Sequence, residues 1–378
     1  MTKLKKILLI TNGILLIAVA SFGIYYWQHY FGTKPTTPTN NGDQTNNNNN
    51  GQTPTTKPRV YLMTNKKVLG PHLSNAGNQI QYFGLPDYEL YASTFDASTE
   101  AKITSPSFVV KELIQVIWAG PQNQLIAIFA DENNQIQKYF YDLTTNMSNV
   151  LDPAIKSVAF SPDGQKIAFH YLNDQTGENI IALADPTGFG IKSLWQTTVR
   201  DWQISWPSAN KIALQTPSSA YSGSLSYNIN PDTVERQEIF SNVVGLDILW
   251  SPNGDKLLFS KLINQKLRLY IQAAGKIQEL NATGMAAKCL WVDNDNVYCA
   301  LSDNWPENAK LPDDYYKGMV PMADEIWQID TASGQKTKIA SASEFTTSLD
   351  VEQMLISPEK DYLFILNKKD HRLYGVRL

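Results

Sequence analysis

The sequence predicts an all-β fold, a seven-bladed β-propeller, from two observations: a hairpin pattern occurs seven times, and each copy leaves room for four strands. The pattern is clearest at 160–169, which reads Phe-Ser-Pro-Asp-Gly-Gln-Lys-Ile-Ala-Phe. Proline presets φ for a turn, aspartate bonds its own backbone, and glycine takes the positive φ that closes the hairpin. Four short strands in about 44 residues, repeated seven times, are typical of propeller blades.

Each copy has an apolar residue just before the turn and an apolar run just after it. The residues before the turn are Leu73, Trp118, Phe160, Trp206, Trp250, Trp291 and Ile356. Because the four tryptophans share one repeat position with Leu, Phe and Ile, we expect them to fill the core between blades rather than to bind sugar.

The last copy stops after its third strand, so its fourth strand must come from elsewhere in the chain. Two segments before the first full repeat are left over, Arg59–Met63 and Lys67–Leu69. One of them is expected to complete the seventh blade. The ring would then close and remove the exposed sheet edges that favour aggregation.

Two copies match a known repeat closely. Residues 161–169, SPDGQKIAF, and 251–259, SPNGDKLLF, resemble the WD40-like repeats of the TolB propeller and of the dipeptidyl-peptidase IV N-terminal propeller. The resemblance covers about residues 59–378 and implies a propeller, here of a membrane-anchored bacterial type. Such propellers serve many roles, so the resemblance implies no particular activity.

The N-terminal residues predict a cellular location rather than a fold. Residues 7–27 carry no charge and, at about 1.5 Å per residue, span roughly the 30 Å hydrocarbon core of a bilayer. Lys3, Lys5 and Lys6 precede them, so residues 1–6 are expected to be cytoplasmic and the remainder extracytoplasmic. The expected location is therefore the cell membrane, with 7–27 as a single-pass signal anchor.

A cleaved signal peptide ending at Ala18-Val19-Ala20 is the alternative to the anchor. The apolar run continues past Ala20 into aromatic residues, which favours the membrane span. Residues 28–58 are rich in Asn, Thr and Pro, without apolar periodicity, and predict a disordered linker. Residues 59–378 then form the propeller.

The charge balance excludes one class of partner. The chain has 32 Lys and Arg against 36 Asp and Glu, a net charge of −4. Nucleic acid binding needs a basic field that this composition lacks, so no nucleic acid partner is expected.

The long interval between the sixth and seventh copies is the main departure from the repeat. The excess falls at 303–324, between the second and third strands of the sixth blade, on the face where the chain also crosses between blades. Long irregular loops are usually functional or disordered, and two interpretations stay open: a plug over the channel mouth or an apolar patch, and a lid or binding loop. The crossing at 195–202 should open on the same face. The candidate binding residues are Trp195, Arg200, Trp202, Trp305, Asp313, Asp314, Tyr315 and Tyr316.

Three further features bear on chemistry. Cys289 and Cys299 flank the sixth hairpin turn and should lie opposite each other, so a disulfide and a pair of buried thiols are both open. The carboxylates around 303–325 fit no recognised calcium loop, so no metal and no cofactor is expected. The histidines are scattered and no nucleophile elbow is present, so no catalytic residue is assigned.

These observations favour a non-catalytic binding or scaffold module for a protein, a peptide or an envelope glycan. The alternative is a propeller-type glycan hydrolase or lyase with axial carboxylates. An exposed aromatic patch would favour the binding module, whereas two close carboxylates in a deep axial pocket would favour the enzyme.

Overall fold

The computed structural model describes residues 58–378, apart from 75, 104–111, 121 and 304. The predicted span at 7–27 and the linker up to residue 57 lie outside the described residues. Within 58–378, no helix combines the length and the apolar character needed to cross a membrane.

The described chain forms seven four-stranded antiparallel sheets, numbered here as blades 1 to 7. Blades 1 and 2 contain β2 (Lys67–Leu73), β3 (Gln79–Leu85), β4 (Leu90–Thr94), β5 (Glu100–Lys102), β6 (Glu112–Trp118), β7 (Gln124–Ala130), β8 (Ile136–Asp142) and β9 (Met147–Val150). Blades 3 and 4 contain β10 (Ile155–Phe160), β11 (Ile167–Asn173), β12 (Glu178–Ala184), β13 (Lys192–Gln196), β14 (Gln203–Ser208), β15 (Lys211–Gln215), β16 (Gly223–Ile229) and β17 (Arg236–Val244). Blades 5 and 6 contain β18 (Asp247–Trp250), β19 (Lys256–Ile263), β20 (Lys266–Ala273), β21 (Lys276–Thr283), β22 (Cys289–Trp291), β23 (Asn296–Leu301), β24 (Glu325–Asp330) and β25 (Lys336–Ala340). Blade 7 contains β26 (Val351–Ile356), β27 (Tyr362–Asn367), β28 (Arg372–Arg377) and β1 (Val60–Leu62). The predicted seven-bladed propeller is confirmed.

The ring closes through β1, the first described strand, which pairs antiparallel with β28. Of the two leftover segments, Arg59–Met63 therefore supplies the closing strand, and 67–69 instead begins the first strand of blade 1. Tyr61 lies opposite Gly375, where a side chain would meet the Tyr61 ring at 2.5 Å, so the register depends on a glycine at that position. Arg59 extends the closure by donating to Glu344 Oε2 at 2.5 Å and to the carbonyl of Ile339 at 2.6 Å.

The Ser-Pro-Asp-Gly turn of blade 3 shows why this sequence is repeated. The Ser161 hydroxyl donates to Asp163 Oδ1 at 2.6 Å and accepts from the Lys166 backbone N–H at 3.0 Å. Gly164 has φ of 70°, and a Cβ there would lie 2.7 Å from the carbonyl of Ala119 in blade 2. The turn is thus fixed internally and packs closely against the preceding blade.

The apolar core lies between successive blades. Three of the four tryptophans before the hairpin turns pack in its clusters, Trp118, Trp206 and Trp291. Trp118 Nε1 donates to Gly70 O of blade 1 at 2.9 Å, and Trp291 Nε1 to Leu249 O of blade 5 at 3.2 Å. These two tryptophans therefore join their blades to the blades before them.

The antiparallel strand order gives the propeller two distinct faces. The crossing face carries the connections between blades and the loops between second and third strands. The turn face carries the hairpin turns between first and second strands and the turns between third and fourth strands.

Candidate functional site

Residues 302–324 connect β23 to β24 on the crossing face and are called the mouth loop here. The loop contains one helical turn, α1 (Asp313–Tyr316). Its Leu311, Tyr315 and Met322 are 2–5% exposed and form an apolar cluster with Leu267 and Met285 of the neighbouring blade 5 region. The segment is therefore packed against the ring.

The mouth loop reaches from blade 6 to the inner strands of its neighbours. The Tyr316 hydroxyl donates to Asp247 Oδ1 at 3.0 Å, at the start of β18 in blade 5. The Tyr315 hydroxyl donates to Asp350 Oδ1 at 3.2 Å, just before β26 in blade 7. Because the inner strands begin at the crossing face, these bonds hold the loop over their ends.

Asp313 ties the same loop to blade 4. Its carboxylate accepts from the Ser219 hydroxyl at 3.0 Å and from the Ala220 N–H at 2.6 Å. Ser219 and Ala220 lie in the loop between β15 and β16, so the mouth loop contacts blades 4, 5 and 7 as well as its own.

A buried charged cluster lies beneath the mouth loop. Lys288 Nζ is 2.7 Å from Asp324 Oδ2 and 2.7 Å from Asp350 Oδ1. The three residues are 5%, 1% and 2% exposed. Burial raises the pKa of the Asp324 carboxyl, although the Lys288 ammonium acts in the opposite direction. Two carboxylates thus come together here, but they share one lysine in the protein interior.

Asp247 is a second buried carboxyl, on the blade 5 side of the loop. It is 6% exposed, and its Oδ2 has no hydrogen-bond partner. Burial raises its pKa to about 7, and the hydrogen bond from Tyr316 only partly opposes that effect. Its protonation is therefore expected to change near neutral pH.

The candidate residues on the blade 3 to blade 4 crossing lie apart from the mouth loop. The rings of Trp195 and Trp202 pack 5.8 Å apart, and Tyr227 lies 5.4 Å from Trp195. Trp202 is 1% exposed, and its Nε1 donates to Thr197 Oγ1 at 3.1 Å. Arg200 is exposed and pairs with Asp174 of blade 3.

The eight candidates therefore fall into two groups. In the described part of the chain, no hydrogen bond, ion pair or ring contact joins the 195–202 group to the mouth loop. The two tryptophans form core between blades 3 and 4, and they do not form a shared rim with the loop.

Within the mouth loop, the candidates differ in what they present to solvent. Asp314 accepts from the Lys310 N–H at 2.7 Å and closes a local turn. Trp305 is half-buried and lines a polar cleft of about 660 Å³ beside blade 5. Tyr315 is 5% exposed and faces the interior, whereas Tyr316 is 50% exposed.

Two further exposed apolar side chains lie on the crossing face near α1, which contains Tyr316. Met319 of the mouth loop is 68% exposed, and Tyr221 of blade 4 is 69% exposed. Tyr221 directly follows the two residues that hold Asp313, so it lies beside α1. We call Tyr221, Tyr316 and Met319 the mouth patch. Sequence reasoning missed Tyr221 and Met319, although the repeat places both residues in loops of the crossing face.

The two cysteines lie close to the buried cluster. Cys289 of β22 is the direct cross-strand partner of Cys299 of β23, with 4.1 Å between Cα atoms. The structure joins them in a disulfide, with an S–S distance of 2.10 Å. This bond connects the two innermost strands of blade 6 next to Lys288.

Comparisons with known proteins identify the fold. No protein-family model matches the sequence, and no curated protein matches it. An oligogalacturonate lyase in complex with manganese has a similar structure, with a TM-score of 0.61, 11% identity, and coverage of 84% of this chain and 93% of that chain. Prolyl oligopeptidase B from Galerina marginata gives a TM-score of 0.54 and 9% identity, over 80% of this chain and 46% of that chain. TolB from Acinetobacter baumannii gives 0.43 and 12%, over 80% and 77%. At these identities the likeness shows the propeller fold alone.

Proposed function

We propose that this chain is a membrane-anchored, extracytoplasmic propeller that acts as a non-catalytic binding module. The ligand would be a protein, a peptide or an envelope glycan, bound on the crossing face. The uncharged segment at 7–27, with lysines before it, supports the anchor and its orientation.

The mouth patch is the observation that carries this proposal. Tyr316 and Met319 remain half or more exposed, although the loop that bears them is otherwise packed and hydrogen-bonded to blades 4, 5 and 7. Aromatic residues and methionine are enriched in protein interfaces, and exposed apolar patches often mark such surfaces. The patch therefore favours a protein or peptide over a glycan.

The alternative, a glycan hydrolase or lyase, ranks second because of where the carboxylates lie. Asp324 and Asp350 are the close pair, but they are 1% and 2% exposed and both bond to Lys288. A general acid or base must come within hydrogen-bond reach of substrate, and these two groups lie beneath the loop.

Photo-crosslinking tests the binding module. A benzophenone amino acid is placed at position 319 of the full-length protein in its own membrane. Position 277 on β21 serves as the matched control, because Ile277 is 54% exposed and apolar but lies on an outer strand. We expect one discrete covalent adduct from position 319 and none from 277.

The same experiment distinguishes the remaining outcomes. The adduct should disappear in a Tyr221→Ser background, because that change alters the patch without touching the crosslinker. An adduct that shrinks on treatment with a cell-wall hydrolase would identify a glycan ligand. Equal labelling from 319 and 277 would contradict the proposal, and cleavage of polygalacturonate or envelope glycans by the purified protein would establish the enzyme instead.

A further inference from the structure

The turn face has a cleft between blades 3 and 4, on the side of the propeller opposite the mouth loop. Its volume is about 430 Å³. Pro162, Leu183 and Pro231 supply apolar lining, and Trp206 contributes an aromatic side chain. Ligand sites combine an apolar lining of this kind with a few polar groups.

The interface between blades 4 and 5 shows how this space is filled elsewhere in the ring. Lys211, which follows the hairpin turn of blade 4, places Nζ 3.9 Å from the centroid of the Trp250 ring in blade 5. The same ammonium group donates to the carbonyl of Gly254. A cation thus sits over the tryptophan and satisfies a backbone acceptor.

The blade 3 to blade 4 interface has the same two residue types without that contact. Lys166 follows the hairpin turn of blade 3, and Trp206 occupies the repeat position of Trp250. Within 58–378, the Lys166 ammonium makes no hydrogen bond, ion pair or ring contact, and no described side chain places a cation over Trp206. The repeat therefore leaves an aromatic ring and a cleft where its neighbour has a bound cation.

The charges around this cleft favour a cation. Asp185 and Asp232 line it from the third-to-fourth-strand turns of blades 3 and 4, and their carboxylates have no hydrogen-bond or ion-pair partner among the described residues. Asp163 also lines it, and the hydrogen bonds from Ser161 and the Gln165 N–H lower its pKa, which keeps it ionised. Lys166 and Lys192 also line the cleft, and their positive charges offset part of the negative charge of these three carboxylates. Lys192 Nζ lies 3.5 Å from the carbonyl of Pro231.

We infer that this cleft binds a basic side chain of an extended peptide, with the cation over the Trp206 ring and beside Asp185 and Asp232. Cation–π and charge–charge attraction then act together on one group. Phe189 and Ile191, in the turn that contains Asp185, are 67% and 56% exposed and are available to apolar neighbours of the basic residue. Such flanking contacts favour a peptide over a free amine. This inference is independent of the proposed function, since it concerns the other face.

Isothermal titration of the full-length protein in nanodiscs tests this inference. The probe is the peptide acetyl-Leu-Lys-Leu-amide, and its partner is the same peptide with an acetylated lysine side chain. We expect the charged peptide to bind at least tenfold more tightly than the acetylated one. High salt should weaken the binding of the charged peptide. The double variant Asp185→Asn/Asp232→Asn should lose at least tenfold in affinity for the charged peptide. Lys166→Ala removes a competing cation and should increase that affinity.

A matched double variant keeps the result interpretable. Glu132→Gln/Glu359→Gln also removes two negative charges, but from exposed turns in blades 2 and 7, outside the cleft. This variant should bind the charged peptide like the wild type. Unchanged melting curves confirm that both double variants fold. Equal affinity for the two peptides would overturn the inference, as would an equal loss in both double variants or no binding at millimolar peptide. Weaker binding by Lys166→Ala would also overturn it, because Lys166 would then contribute to binding instead of competing with the cation of the peptide.

Discussion

Blades 5 and 6 connect their second and third strands in opposite ways. Blade 5 uses Asn264 and Gln265, both at positive φ, in a two-residue turn whose flanking residues pair directly. Such a turn matches the twist of the strands and needs only backbone bonds. Blade 6 uses the mouth loop, which is held by an apolar cluster, a buried lysine and hydrogen bonds to three other blades. The repeat needs only the first connection, so the second one is available for function.

The largest expected effect comes from giving blade 6 the turn of blade 5. Replacing residues 302–324 with Asn-Gln should lower the free energy of unfolding by about 3–6 kcal/mol, because Leu267 and Met285 lose their cover. Equilibrium denaturation measures it. This outcome would favour the plug interpretation. An unchanged midpoint would show that the loop is a lid without a structural role.

Next in size is the removal of the buried ammonium. Lys288→Met leaves Asp324 and Asp350 without a countercharge and should destabilise the protein by about 3–5 kcal/mol. Lys256→Met is the matched control, because its partner Asp295 is 69% exposed and the pair contributes about 1 kcal/mol or less. Equal melting temperatures for the two variants would show that the cluster does not anchor the loop.

The third effect depends on pH. Burial raises the pKa of Asp247 to about 7, so the folded protein holds this proton more tightly than the unfolded chain, whose pKa is about 3.9. The proton on Asp247 therefore contributes to the free energy of unfolding. This contribution is complete below about pH 4 and is lost as pH rises toward 7.

Asp247→Asn keeps an acceptor for Tyr316 and cannot ionise. It should be more stable than the wild type at pH 8, by roughly 2–4 kcal/mol, and similar at pH 4. Denaturation across this range measures the difference. Parallel curves for the two proteins would mean that Asp247 titrates normally.

The smallest effect on stability is expected from the surface of the loop. Tyr221→Ser/Met319→Ser changes two side chains that are about two-thirds exposed, so the unfolding free energy should change by about 0.5 kcal/mol or less. Ligand binding should be lost. It is measured by crosslinking from a benzophenone amino acid that replaces Tyr316 in both the wild-type and the variant background. A variant that melts early would assign the patch to folding instead.

The fold could be predicted because its signals are local. The turn at 161–166 fixes its own geometry, and its apolar flanks repeat at similar intervals apart from the long last one, so seven copies define the ring. The position of the mouth loop followed from the same counting.

The site was harder to predict because its contacts join distant parts of the chain. Lys288 and Asp350 are 62 residues apart and come from different blades, and no pattern in the sequence pairs them. For the tryptophans at 195 and 202, the residue type alone does not distinguish a core position from an exposed binding position. Only the packing between blades 3 and 4 shows that Trp202 is buried.

The closure of the ring by β1 has a consequence for the order of folding. Tyr61 near one end of the described chain pairs with Gly375 near the other, so this contact forms only after all seven blades have been synthesised. Contacts of such long range slow folding, and an open sheet edge invites association with other chains during the delay. Until the ring closes, β1 and β28 are therefore unpaired sheet edges, and a chaperone or a second chain could bind to them.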